Sequence, residues 1–109
     1  MQFIRGTTPS IEITVQTEID LTEVAEVWIY LAQQNKPKVE KKRSDVTFNY
    51  DNKTMTVTLS QDDTLALKAD VDTLFQIRML LNDGTALATL ASKVTIKNVY
   101  KQGVITPEV

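Results

Sequence analysis

The sequence predicts an all-β protein, an immunoglobulin-like antiparallel β-sandwich of about seven strands. Three observations carry that expectation. Apolar residues recur at every second position, β-branched residues dominate the apolar segments, and turn signals such as Tyr50-Asp51-Asn52-Lys53 and Asn82-Asp83-Gly84 fall between them. With 109 residues the chain suits one hydrophobic core. Residues 1–102 read as a single domain, and 103–109 as a short tail, mobile or docked on a partner.

The elements follow in order. Phe3 to Arg5 is a short first strand. Ile11, Ile13 and Val15 share one face of a second, from Ile11 to Thr17, with Glu12 and Thr14 opposite. The segment from Val24 to Gln34 is apolar on both faces and reads as a central strand, in which Trp28 suits the inter-sheet tryptophan of an immunoglobulin-like core. The fourth strand is either the charged edge Lys38 to Lys42 or the segment Val46 to Tyr50, which a short turn joins to Thr54 to Ser60. Val71 to Leu81 is again apolar on both faces, and Asp83-Gly84 turns it into a long strand from Ala86 to Val99. There Ala86, Ala88, Leu90, Val94 and Ile96 are expected to share a face. Leu87 and Ala91 point the other way, which calls for a bulge or bend midway.

The chain has no cysteine and no histidine, which removes disulfides, thiolate nucleophiles, imidazole bases and nearly every zinc site. Ser-Lys and N-terminal nucleophile patterns are also missing, so no enzyme, no catalytic residue and no cofactor are expected. No apolar run approaches the roughly 18 residues of a membrane span, and the start carries no signal-like segment; residence in a cytoplasm is the expectation. A net charge of −2 gives no general attraction to nucleic acid.

Four aspartates, Asp62, Asp63, Asp70 and Asp72, raise the question of a metal site. The segment lacks the central glycine and twelfth-position glutamate of a calcium loop. A turn explains more: Ser60 caps a short helix, Asp63 returns a bond to the Ser60 amide, and Leu65 and Leu67 close the corner on the core.

Two charge clusters remain. The run Lys36 to Arg43 holds five cations and one anion, whereas Glu12 to Glu26 holds five anions and no cation. The intervening strand is expected to set most of them at opposite poles, which would allow head-to-tail association of copies. The basic run also reads as an edge-strand guard. Trp28 and Tyr30 lie on one face of their strand; Trp28 reads as core and Tyr30 as a partner contact, while an exposed pair would suggest a sugar platform or a protein hot spot. The candidate partner contacts are therefore Tyr30, Lys38, Lys41, Lys42 and Arg43, with Glu18, Asp20, Glu23 and Glu26 as the acidic side.

The stretches RGTTPS (5–10), VTLSQDDTLAL (57–67), QIRMLLNDGTALA (76–88) and VYKQGVI (99–105) together resemble a family of small phage and prophage proteins of Gram-positive bacteria. The chain is also loosely similar to the N-terminal domain of phage baseplate upper proteins. Gln102 stands where that family usually carries an acidic residue. The resemblance implies a virion component of tail, baseplate or head, assembled in the host cytoplasm, with other phage structural proteins as partners. It supplies no catalytic residue.

Overall fold

The computed structural model describes residues 1–16, 18–89 and 91–108. The described chain is a two-sheet sandwich, built from β1 (Gln2–Ile4), β2 (Ser10–Thr14), β3 (Val24–Gln33), β4 (Lys36–Lys42), β5 (Val46–Asn49), β6 (Thr54–Thr58), β7 (Thr73–Leu81), β8 (Ala86–Ala88) and β9 (Ser92–Lys97). A short helix α1 (Gln61–Leu65) follows β6, and single 3-10 turns lie at Leu21–Glu23 and Arg43–Asp45. The larger sheet runs β1-β9-β7-β3-β4 with β8 paired to β7, and the smaller runs β2-β6-β5. All pairings are antiparallel except β1 with β9. This division of the strands between two sheets is the antiparallel-dominated β-sandwich that the period-two pattern suggested.

The layers meet through the inward parity of each strand. Val27, Ile29 and Leu31 of β3, Phe75 and Ile77 of β7, and Val94 and Ile96 of β9 face Ile11, Met55 and Val57 of the smaller sheet. Leu59 and Leu67, on either side of α1, are also buried, so Leu67 closes the corner after β6 on the core as expected, whereas Leu65 is only half-buried.

Three expectations need correction. Among the described residues the strand count is nine rather than about seven, because the charged segment and Val46–Asn49 are both strands, one in each sheet, and the last expected strand is two, β8 and β9. The final long strand is divided: pairing with β7 advances by one residue between Ala88 and Ser92, and Thr89 bridges the break by bonding both the amide and the carbonyl of Ile77. The bulge was expected, but it inverts parity, so Ala86 and Ala88 stay exposed while Val94 and Ile96 are buried. Leu90, assigned to that face, lies outside the described residues, as does Thr17, taken to end the second strand. The third correction is Trp28. From Val27 onward the core side of β3 belongs to its odd-numbered residues, and Trp28 stands on the outer side.

Turns follow their chemistry. Gly84 has φ 90, a left-handed value that suits the residue without a Cβ, and Asp83 accepts from the Thr85 amide. The β3–β4 hairpin instead places Gln34 (φ 54) and Asn35 (φ 61) in the left-handed region, the requirement of a type I′ turn.

The aspartate-rich segment begins with a capping box. The Asp63 amide donates to Ser60 Oγ at 3.1 Å, and the Ser60 amide donates to Asp63 Oδ2 at 2.8 Å. Lys41 Nζ reaches the same carboxylate at 2.7 Å, tying β4 to α1. Partial burial works against ionisation of Asp63. Hydrogen bonds from Lys41 and from the Ser60 amide and hydroxyl outweigh it and hold the carboxyl below its ordinary value of 3.8. Replacing Ser60 with alanine should cost about 1 kcal/mol in urea denaturation through the lost cap. Because folding lowers this pKa, the Asp63 contribution is present above the unfolded value and is lost as pH falls through the lower folded value. Stability measured from pH 6 down to pH 3 should therefore fall less in Asp63→Asn than in wild type; identical slopes would refute the coupling.

Candidate contact surface on the outer face of the larger sheet

One side of the larger sheet is covered by the smaller sheet, and no described element covers the other side. Cross-strand register builds this outer face in rows. Lys42 of β4, Trp28 of β3, Arg78 of β7 and Ala88 of β8 form one row. Glu40, Tyr30 and Gln76 form the next, and Pro37, Ala32, Leu74 and Lys93 the one after. On the other side of the Trp28 row lie Glu26, Leu80 and Ala86.

Trp28 and Tyr30, two residues apart on β3, stack with ring centroids 6.3 Å apart and planes 10° apart. The Lys42 ammonium lies 5.7 Å from the Trp28 ring centroid, a cation–π distance. Both rings are half-buried, while Leu74 and Leu80 keep 38% and 40% of their surface exposed. A shallow groove of about 930 Å³ runs across the face, with Tyr30, Ala32, Pro37, Leu74, Gln76 and Arg78 among its lining residues. Apolar rings and leucines interleaved with three cations, Lys42, Arg78 and Lys93, and two carboxylates, Glu26 and Glu40, make a surface able to bind by burial and by charge together.

The contact residues expected from sequence divide accordingly. Tyr30, Lys42 and Glu26 are on this face. Lys38 occupies the bulge of β4, between Pro37 opposite Ala32 and Val39 opposite Leu31. Lys41 points to the inner side and is bound to Asp63, and Arg43 lies 5.1 Å from the Phe48 ring centroid at the crossing between sheets. On the acidic side, Asp20 caps the turn Leu21–Glu23, and bonds from the Thr22 hydroxyl and amide lower its pKa. Glu23 accepts from Asn82, and Glu18 is an exposed loop residue. The opposite-pole picture is corrected for the end of the basic run: β4 returns alongside β3, and Lys42 sits opposite Trp28, two residues from Glu26 instead of a strand length away, while Lys36 and Lys38 stay by the far end of β3.

Two polar residues singled out by no sequence argument tie the domain together. Gln33, 1% exposed, donates from Nε2 to the Lys68 carbonyl at 2.8 Å and to Thr73 Oγ1 at 2.9 Å, and accepts from the Lys68 amide at 3.0 Å. Arg5 donates to the carbonyls of Leu65, the last residue of α1, and of Leu67 beyond it, and to the side chains of Asn98 and Gln102. The tail lies on the domain itself, where the Gln61 side-chain amide bonds both the N–H and the carbonyl of Ile105.

Among the described residues no group of three acidic side chains gathers closely enough to hold a metal ion, and no helix is long and apolar enough to cross a membrane. No family model matches the chain, and no curated protein matches it.

Proposed function

We propose that this chain is a non-enzymatic structural or assembly component of a phage virion, a tail, baseplate or head accessory protein that works through protein–protein contacts. The outer face of the larger sheet carries the contact part of that reading: Trp28, Tyr30, Leu74 and Leu80 keep surface in solvent although the core beneath them is complete. Aromatic side chains and arginine dominate the binding energy of protein interfaces, and Arg78 stands in the Trp28 row. The phage part rests on the RGTTPS, QIRMLLNDGTALA and VYKQGVI resemblance, and the absence of histidine and cysteine supports a non-catalytic role. In this reading the protein is made in the bacterial cytoplasm and ends in the virion. Its partners are other phage structural proteins, and it needs neither cofactor nor nucleic acid nor membrane.

The test is complementation in the source phage. Deleting the gene should lower the yield of infectious particles at least tenfold, and the wild-type chain should restore it. A Trp28→Ala/Tyr30→Ala chain should fold but fail to restore it. Unchanged particle number, morphology and infectivity after deletion would overturn the proposal.

The stacked aromatic pair beside Gln76 and Arg78 also favours a second reading, a carbohydrate- or host-surface-binding module. Glycan-array binding that disappears in Trp28→Ala would select it; an array without hits would reject it.

A further inference from the structure

We infer that the outer face of the larger sheet pairs with the same face of a second copy of this chain. The twofold axis lies in the interface and crosses the strands between the Trp28 and Tyr30 rows. This inference rests on the reading of that face as a protein contact surface, and adds the identity of its occupant.

The register carries the argument. Lys42, Trp28 and Arg78 form one row, and Glu40, Tyr30 and Gln76 the adjacent one. A twofold axis perpendicular to the strands exchanges the two rows while leaving each strand opposite itself. It sets Lys42 against Glu40 of the second copy, and by symmetry Glu40 against Lys42 of the second copy. Trp28 then meets Tyr30 of the second copy, and Arg78 meets Gln76, whose Nε2 donates to the Thr89 carbonyl and whose amide oxygen serves as the acceptor. One row farther out, Leu80 meets Leu74, the two exposed leucines of β7. An axis along the strands would instead set Lys42 against Ala88 and leave the charges unmatched. A different protein would require no internal match of this kind, whereas an isologous interface requires every residue pair to occur twice.

Four strands about 4.8 Å apart and six residue steps of about 3.3 Å give a patch roughly 20 Å on each side. Such a patch is at the small end of specific interfaces, so association is expected at high concentration.

Analytical ultracentrifugation at low salt and rising concentration provides the test. Wild type should pass from monomer to dimer. Lys42→Glu and Glu40→Lys each set like charges across the axis and should each weaken dimerisation at least tenfold, with melting temperatures showing that both fold. An equimolar mixture of the two variants should form a 1:1 heterodimer, and both changes in one chain should restore the homodimer. Wild type that stays monomeric throughout, or a mixture that associates no better than its components, overturns the inference. The two readings separate in the complementation assay. A monomeric wild type whose Trp28→Ala/Tyr30→Ala variant still fails to complement gives the face to a different protein, whereas a variant that complements removes the contact reading itself.

Discussion

Replacing Gln33 with leucine should destabilise the domain by about 3 kcal/mol, although leucine matches the apolar surroundings better. Gln33 is 1% exposed and serves three polar groups, the Lys68 amide, the Lys68 carbonyl and the Thr73 hydroxyl. Leucine would remove all three bonds; the Thr73 hydroxyl would keep its bond to the Val71 carbonyl, but the Lys68 amide and carbonyl would lose their partner, and a buried unsatisfied group costs about 1–3 kcal/mol. The full sum is not expected, because Lys68 is an exposed residue and its part-buried backbone groups can recover some of their bonding from water. Urea denaturation checks the value, and a loss below about 1 kcal/mol would show that the bridge is incidental. Gln33→Glu sharpens the test. A protonated carboxyl can still donate once and accept once at this site, but an ionised one cannot donate and is a buried charge. Burial raises the folded pKa of such a glutamate, so its stabilising contribution is present below the unfolded value and is lost as pH rises through the folded one. The variant should therefore approach wild type near pH 4 and fall well short near pH 7.

Arg5→Ala should cost about 2–3 kcal/mol, the scale of a few hydrogen bonds to a charged group at a half-exposed site. The guanidinium bonds the Leu67 carbonyl at 2.8 Å, just beyond α1, and at 3.1 Å the Leu65 carbonyl, an acceptor that the end of α1 leaves without a helical partner. It also reaches Asn98 at 3.0 Å and Gln102 at 2.8 Å, so one side chain joins the start of the chain, the β6–β7 corner and the segment after β9. Arg5→Lys keeps the charge but not the fork of donors, and should recover less than half of the loss. Hydrogen exchange over residues 98–105 should accelerate in Arg5→Ala. Stability within about 0.5 kcal/mol of wild type, the range of ordinary surface substitutions, would refute the role.

The neighbouring Gly6 gives a physical sense to the RGTTPS stretch. Its φ is 79, and a Cβ there would lie 3.6 Å from the Leu65 side chain. Thr64 in turn donates from Oγ1 to the Thr7 carbonyl at 2.8 Å. Two of the stretches that carry the resemblance, RGTTPS and VTLSQDDTLAL, thus meet in one structural lock around α1.

Period two made the strands and their inward residues legible, because Ile11, Met55, Val57, Val94 and Ile96 each alternate with polar neighbours. The capping box was legible for a related reason: Ser60 and Asp63 are three residues apart, and the interaction is local. What failed was non-local. In β3 both faces are apolar, so alternation cannot say which face the other sheet covers, and Trp28 lies on the face opposite to the one expected. The return of β4 alongside β3 depends on a hairpin with Gln34 and Asn35 at positive φ, a turn without the glycine that usually announces it. That return is what moved Lys42 from a distant pole to the side of Trp28. Gln33 did leave a signal, since it shares parity with Val27, Ile29 and Leu31 and had to enter the core with them. For Arg5 the partners lie 60 to 97 residues away, beyond the reach of any local pattern.

The pairing of β1 with β9 has a consequence for the order of folding. Gln2 aligns with Thr95 in a parallel register, and β9 also completes the edge of β7 at Thr73, Leu74 and Phe75. During synthesis the first strand therefore waits for almost the whole domain to emerge before its partner exists. Until then the interior residue Phe3 and the edge of β7 are open to other chains. Contacts this distant in sequence slow the search for the native state and prolong the aggregation-prone stage. A nascent chain stopped before Ser92 should stay protease-sensitive and associate with its neighbours, and release of the last strand should close the sandwich in a single cooperative step.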